Sequence, residues 1–212
     1  MQKAFEDYTM RNCVFCRDNR FKNNFKVGFS LEESLIYEDA QIFITPDLAP
    51  LLRGHYLVVS QDHYHSFAEA PAEVHDSLRR AIDYLADKLN CSISWFEHGA
   101  VFPGKGGASI DHAHLHILAC DLDIQKAVEA DGKYLECVPY SDETFCSLAR
   151  RQPYLLIGGS SNDTKLYYVD LLPSQYLRDI VMQLREHSDY NWKHVFTSEE
   201  SKNKYRETLN LL

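Results

Sequence analysis

The sequence predicts an α+β protein: an antiparallel β-sheet with a crossing helix, plus an α/β C-terminal extension packed on it. Three stretches carry this prediction. In His112-Ala113-His114-Leu115-His116-Ile117-Leu118 histidines alternate with apolar residues, the period of a strand with two unlike faces. Helical geometry would scatter the three imidazoles over roughly 200° of the circumference, where no single substrate could meet them. Between Ala72 and Asn90, Val74, Leu78, Ile82, Leu85 and Leu89 recur at helical spacing, with charges on the opposite side. Finally, Tyr154-Leu155-Leu156-Ile157 and Lys165-Leu166-Tyr167-Tyr168-Val169 flank a turn-rich segment and read as a hairpin.

The remaining elements follow in order. Residues 1–12 read as a short lead-in and residues 17–34 as a polar loop. Leu35 to Ala40 and Gln41 to Thr45 read as two short strands, the second stopped by Pro46-Asp47-Leu48-Ala49-Pro50. His55 to Ser60 is a strand leaving into a loop with His63 and His65. Ser92 to His98 is a strand leading to Gly104-Lys105-Gly106-Gly107-Ala108-Ser109 and the histidines. Residues 122–152 read as helical with polar interruptions, and Pro173-Ser174-Gln175 opens a helix from Tyr176 to Glu186 with Ser174 as its cap. The expected division is a catalytic core over residues 1–121 and an extension over 122–212.

Composition narrows the function. A net charge of −9, from 22 Lys and Arg against 31 Asp and Glu, argues against a nucleic-acid partner. No apolar run has transmembrane length and the polar start is not a signal peptide, so a cytoplasmic protein with no membrane partner is expected. Four of the six cysteines, Cys91, Cys120, Cys137 and Cys146, are irregularly spaced and read as buried small hydrophobes. Cys13 and Cys16 form a CxxC pair, which alone reads as half a zinc site, a redox pair or a coincidence.

Three imidazoles on one strand face ligate a metal or act on a substrate. The glycine-rich run before them offers backbone amides and the Ser109 hydroxyl, a suitable cradle for phosphate oxygens, with Lys105, Gly106 and Gly107 as binding residues. The donors expected to meet developing phosphoryl charge are Ser109, the amides of 106–109 and His116.

His112-Ala113-His114-Leu115-His116-Ile117-Leu118 resembles the signature of the histidine-triad (HIT) superfamily, nucleotide hydrolases and transferases. Phe96-Glu97-His98 through Gly107-Ala108-Ser109 to His112-Ala113-His114 resembles in particular the branch of galactose-1-phosphate uridylyltransferase. The resemblance, over roughly residues 12–120, implies a HIT-like sheet with His114 as the nucleophile. It also implies a structural Cys2His2 zinc on Cys13, Cys16, His63 and His112, with His65 as the rival for His63, and no organic cofactor. It further implies an Asp47 that accepts from ribose hydroxyls, where chemistry alone allows a plain turn residue, and a homodimer.

The expected function is therefore a nucleotide hydrolase acting at the α-phosphate through a nucleotidyl-histidine, on dinucleoside polyphosphates or nucleoside phosphoramidates. His116 favours hydrolysis, because the uridylyltransferase pattern has glutamine there; that pattern also has asparagine at the position of His98. The alternatives are a nucleotidyltransferase or phosphorylase of the same superfamily, a non-catalytic nucleotide-binding regulator, and a metallohydrolase using the histidines as a catalytic centre.

Overall fold

The structure, a computed structural model, describes residues 13–99, 110–148, 152–186, 195 and 197–212. Eight strands form one antiparallel sheet: β1 (Tyr37–Glu38), β2 (Ile42–Pro46), β3 (His55–Ser60), β4 (Ser94–Gly99), β5 (His114–Leu118), β6 (Glu136–Pro139), β7 (Tyr154–Gly159) and β8 (Asn162–Tyr168). Their spatial order is β1-β2-β3-β5-β4-β7-β8-β6. The α+β antiparallel architecture expected from the sequence is thus present. The extension adds to it by continuing the sheet, β7 pairing with β4 from Ser94 opposite Gly159 to Gly99 opposite Tyr154.

Alternation along the strands sorts the residues onto two faces. Ile42, Ile44, Tyr56, Val58, Leu115 and Ile117 pack under α3 (Ala72–Leu89) through Val74, Leu78, Ala81 and Leu85. On the other face lie Phe43, Leu57 and Val59 at one end. At the other end are Phe96, Leu155, Ile157 and Tyr167. Those last residues are covered by α4 (Ile124–Asp131) and α6 (Tyr176–Leu184), which pack on each other. The C-terminal helix α7 (Glu199–Leu209) braces the core. Its Thr208 accepts from Gly54 N at 2.9 Å, and the Thr208 carbonyl accepts from Tyr56 OH at 2.9 Å. Gly54 has φ +85°, and a Cβ there would lie 2.4 Å from that of Ala119, so only glycine opens β3 in this way.

Four local expectations change. Within 17–34 the chain forms α1 (Lys22–Lys26) and α2 (Leu31–Ser34). The signal for α2 is the reciprocal capping box of Ser30 and Glu33. The stretch read as helical after residue 122 contains α4, α5 (Asp142–Leu148) and strand β6. Four residues ending in Pro139 are too short for a period, but a sheet edge tolerates them. Helix α6 is capped by Gln175 at φ 73°, not by Ser174. Cys91 is exposed, and Cys120, Cys137 and Cys146 are half-buried instead of core residues.

Candidate active site and metal centre

Strand β5 begins at His114, two residues later than the alternation suggests. Ala113 leaves the ladder, its N–H going to the Tyr64 carbonyl and its carbonyl accepting from Ser60 N. His112 is therefore drawn towards the loop after β3 and is fully buried there. It donates Nε2–H to the Ser60 carbonyl at 2.8 Å, which leaves the Nδ1 lone pair facing Cys13 Sγ at 3.2 Å and Cys16 Sγ at 3.8 Å. His63 Nδ1 lies 3.2 Å from Cys16 Sγ. The four ligand atoms fall within 4.8 Å of one another.

This cluster fits a tetrahedral ion. Zn–S and Zn–N bonds of about 2.3 and 2.0 Å imply ligand-to-ligand edges of about 3.5 Å, close to the separations found. A carbonyl on the far nitrogen of His112 is the usual outer partner of a ligating imidazole. Burial and the neighbouring Cys13 push the Cys16 thiol up to about 12, a cost that a dication reverses by stabilising thiolates. His65 is turned away, its Nδ1 bonded to Glu69 at 3.0 Å.

His114 has the opposite arrangement. Its Nδ1 donates to the His112 carbonyl at 2.6 Å, so Nε2 carries the lone pair. Burial holds its pKa below the usual imidazole value, which keeps that lone pair available. His114 lines a cavity of about 290 Å³ together with Phe15, Phe43, Leu57, Asp47, His116 and Arg178. Ile42 falls on the opposite sheet face from Phe43 by the strand period, away from the cavity.

His116 lies flat on Phe96, the rings 4.6 Å apart at 17°. Its Nδ1 is 2.9 Å from Nε2 of His55, which sits diagonally across from it on β3. His55 Nδ1 accepts from Leu51 N at 3.1 Å, so its proton is on Nε2. The chain of donors then runs from Leu51 N–H to His55, and from His55 Nε2–H to His116 Nδ1, which leaves His116 with a proton on Nε2. Burial brings His55 down to about 3 and His116 well below its ordinary value, so both rings are neutral.

Asp47 closes this end. Oδ1 accepts from Ala49 N at 2.7 Å and Oδ2 from Arg178 Nη1 at 2.8 Å, and Arg178 also donates to the Ala49 carbonyl. Burial alone would raise its pKa, but the charge and hydrogen bond of Arg178, with the Ala49 N–H, bring it down to about 2. Asp47, His55 and His116 could be mistaken for a second metal site. Arg178 on the carboxylate supplies the positive charge a cation would otherwise bring.

Residues 29–122 match the family model of the HIT domain. That stretch of the chain is similar to a HIT domain. An uncharacterised HIT-like protein of Methanocaldococcus jannaschii is 24% identical over 109 residues, 50% of this chain and 77% of that one. A HIT family hydrolase from Clostridium thermocellum is 22% identical, covering 53% of this chain and 92% of its own, with a TM-score of 0.40. A hypothetical histidine triad nucleotide-binding protein from Sulfolobus tokodaii is 19% identical over 85% of this chain and 99% of its own, at a TM-score of 0.38.

Within the matched stretch, His112, His114, His116, Asp47 and His63 come together as described, joined by Cys13 and Cys16. Ser109, Lys105, Gly106 and Gly107 lie outside the described residues. His98 lines the cavity. Sequence reasoning missed His55, although it shares the strand parity of Leu57 and Val59. It also missed Arg178, whose single hint is a cation on the side of the helix shared with buried Leu177 and Val181. His75 of α3 is buried, with Nε2–H on the Phe67 carbonyl at 2.6 Å. Among the described residues no helix is long and apolar enough to cross a membrane.

Proposed function

We propose that this protein is a nucleotide hydrolase that forms a covalent nucleotidyl intermediate on His114. The observation that carries the reading is the His114 Nδ1–H bond to the His112 carbonyl at 2.6 Å, which turns a neutral, nucleophilic Nε2 to the cavity. Attack by Nε2 on the α-phosphorus forms a P–N bond as the P–O or P–N bond to the leaving group breaks, with His116 Nε2–H donating a hydrogen bond to the leaving atom, which takes its proton from solvent. Water then attacks the same phosphorus, losing its proton to solvent as the P–N bond breaks, and His114 is released. Two displacements replace one, which is the general gain of covalent catalysis. The aromatic wall of Phe15 and Phe43 suits a base, and the second lone pair of an Asp47 oxygen suits a ribose hydroxyl.

The substrate class proposed is a dinucleoside polyphosphate or nucleoside phosphoramidate. A nucleotidyltransferase or phosphorylase differs only in the acceptor, phosphate or a sugar phosphate in place of water. A turnover screen of phosphoramidates, dinucleoside polyphosphates and nucleotide sugars, with and without phosphate, separates these. Turnover of the first two without phosphate is expected. Strict dependence on phosphate would make the protein a phosphorylase, and binding without turnover a regulator.

The metal we assign to Cys13, Cys16, His63 and His112 is zinc, because two thiolates and two imidazoles in a tetrahedral set favour it. Its role is to tie the N-terminal segment to the motif strand, with no part in phosphoryl transfer. Ser109, Lys105, Gly106 and Gly107 are proposed phosphate contacts, residues 1–121 the catalytic core, and the cytoplasm the location. The homodimer is also kept as a proposal, which light scattering showing a single-chain mass would reject.

A further inference from the structure

We infer that Arg178, supplied by the C-terminal extension, is a positioning residue of the catalytic site. By gripping Asp47 it makes His116 the acceptor of the His55 Nε2 proton, and so fixes which nitrogen of His116 carries a hydrogen into the cavity. The inference deepens the proposed function and rests on it for the use made of that hydrogen, not for its placement.

Arg178 is 7% exposed, on a helix whose Leu177, Ile180 and Val181 are buried in the core of the extension. It reaches across to β2 and holds two groups at once, Asp47 Oδ2 at 2.8 Å and the Ala49 carbonyl. With Ala49 N on Oδ1, the carboxylate is fixed at both oxygens. Held this way, Oδ2 stands 3.8 Å from His55 Nε2 and 3.8 Å from His116 Nδ1, outside hydrogen-bond reach of either.

His55 has no freedom over its tautomer, because Leu51 N–H occupies Nδ1. Among the described residues its Nε2 proton faces two acceptors, His116 Nδ1 at 2.9 Å and Asp47 Oδ2 at 3.8 Å. A carboxylate is intrinsically the stronger acceptor, since ionised groups make shorter and stronger bonds. The imidazole wins because the guanidinium satisfies the carboxylate and pins it at a distance. Without Arg178, Oδ2 would be a buried, unpaired charge next to two imidazoles. It would draw the His55 proton to itself, or place an extra proton on the imidazole pair. In the first case His116 Nδ1 loses its donor and Nε2–H is no longer dictated; in the second the pair is no longer two neutral rings with a single defined tautomer.

The test is the tautomeric state of His55 and His116 in full-length, 15N-labelled, substrate-free protein, read from two-bond 1H–15N correlations of the rings. In the wild type both rings are expected as the Nε2–H tautomer; a proton on His116 Nδ1 would overturn the proposal outright. In Arg178→Met the His116 pattern is expected to become a tautomer mixture or an imidazolium, and Arg178→Lys, which keeps a charge on Asp47, should restore most of the wild-type pattern. Unchanged spectra in Arg178→Met would show a purely structural arginine and overturn the proposal. Should that variant fail to fold, the double variant Asp47→Asn/Arg178→Met removes both buried charges and should return the two rings to Nε2–H; a persistent mixture there would also overturn it. In turnover, Arg178→Met should lower kcat for basic leaving groups by about tenfold or more with KM little changed. The spectra decide the proposal without any nucleotide, whereas the hydrolase reading stands or falls on a covalent adduct, so failure of one is distinguishable from failure of the other.

Discussion

At the start of the motif, His112 gives its Nε2 proton to the Ser60 carbonyl and turns Nδ1 to two cysteine sulfurs. Four residues later, His116 accepts a hydrogen bond at Nδ1 from His55 Nε2–H and keeps its own Nε2–H for the cavity. The metal end and the relay end thus use one side chain in opposite senses. The partner of a single ring nitrogen decides the role, and that partner comes from β3 or the loop after it in both cases. His114, between them, takes its partner from the motif itself, the His112 carbonyl. Each histidine is a donor on one side and has a defined job on the other.

Breaking the middle residue should have the largest effect, because both ends exist to serve it. In His114→Gln, kcat is expected to fall by several orders of magnitude with the fold unchanged by circular dichroism. Retention of a tenth of wild-type kcat would remove His114 from the nucleophile's role.

At the relay end, His116→Gln should cost about 10²–10³ in kcat/KM for basic leaving groups and less for acidic ones, since the amide N–H is a weaker and differently placed donor to the charge developing on the leaving atom. The measurement is the slope of log kcat/KM against leaving-group pKa. Equal slopes in variant and wild type would reduce His116 to a phosphate-binding residue.

At the metal end the expected loss is in stability. Cys13→Ser should lower both zinc content by elemental analysis and the melting temperature, because metal binding free energy is folding free energy at such sites. A metal-free protein of unchanged stability would dispose of the centre.

The two ends also differ in acid. His55 is held neutral, down to about 3 by burial, while the unfolded chain titrates near the ordinary histidine value of 6.5. Between those values the unfolded state binds the extra proton, so this contribution is complete above about 6.5 and is lost as pH falls towards 3. Its size is up to about 5 kcal/mol at 1.36 kcal/mol per pK unit. Denaturant titrations of wild type and His55→Gln at pH 7.5 and 4.5 should show the stability gap narrowing in acid, with the metal's own pH dependence cancelling in the difference. A gap that stays constant would mean His55 is protonated in the fold.

Much of the core was legible in the sequence, because periodicity is a local property. Val74 to Leu89 announced α3, and the alternation of His114, Leu115, His116 and Ile117 announced β5 and its two faces. The meeting of Cys13, Cys16, His63 and His112 in a cluster that could hold a metal was anticipated by the CxxC pair and its resemblance. What stayed hidden depends on register and on long-range contact. That Ala113 leaves the ladder, pulling His112 out of the strand, follows from Tyr64 and Ser60 and from nothing inside the motif. His55 matters only because β3 pairs with β5 in a register that puts it diagonal to His116. Arg178 lies 131 residues from Asp47, and no local pattern links the two.

The most direct test of a nucleophilic His114 is intact-protein mass spectrometry after rapid acid-free quenching with a nucleoside 5′-phosphoramidate. The account predicts a mass increase of one nucleotidyl group on the wild type, carried by the peptide containing His114, and none on His114→Gln. A wild-type protein that turns the substrate over with no such adduct at any quench time, or an adduct that persists in His114→Gln, would contradict it.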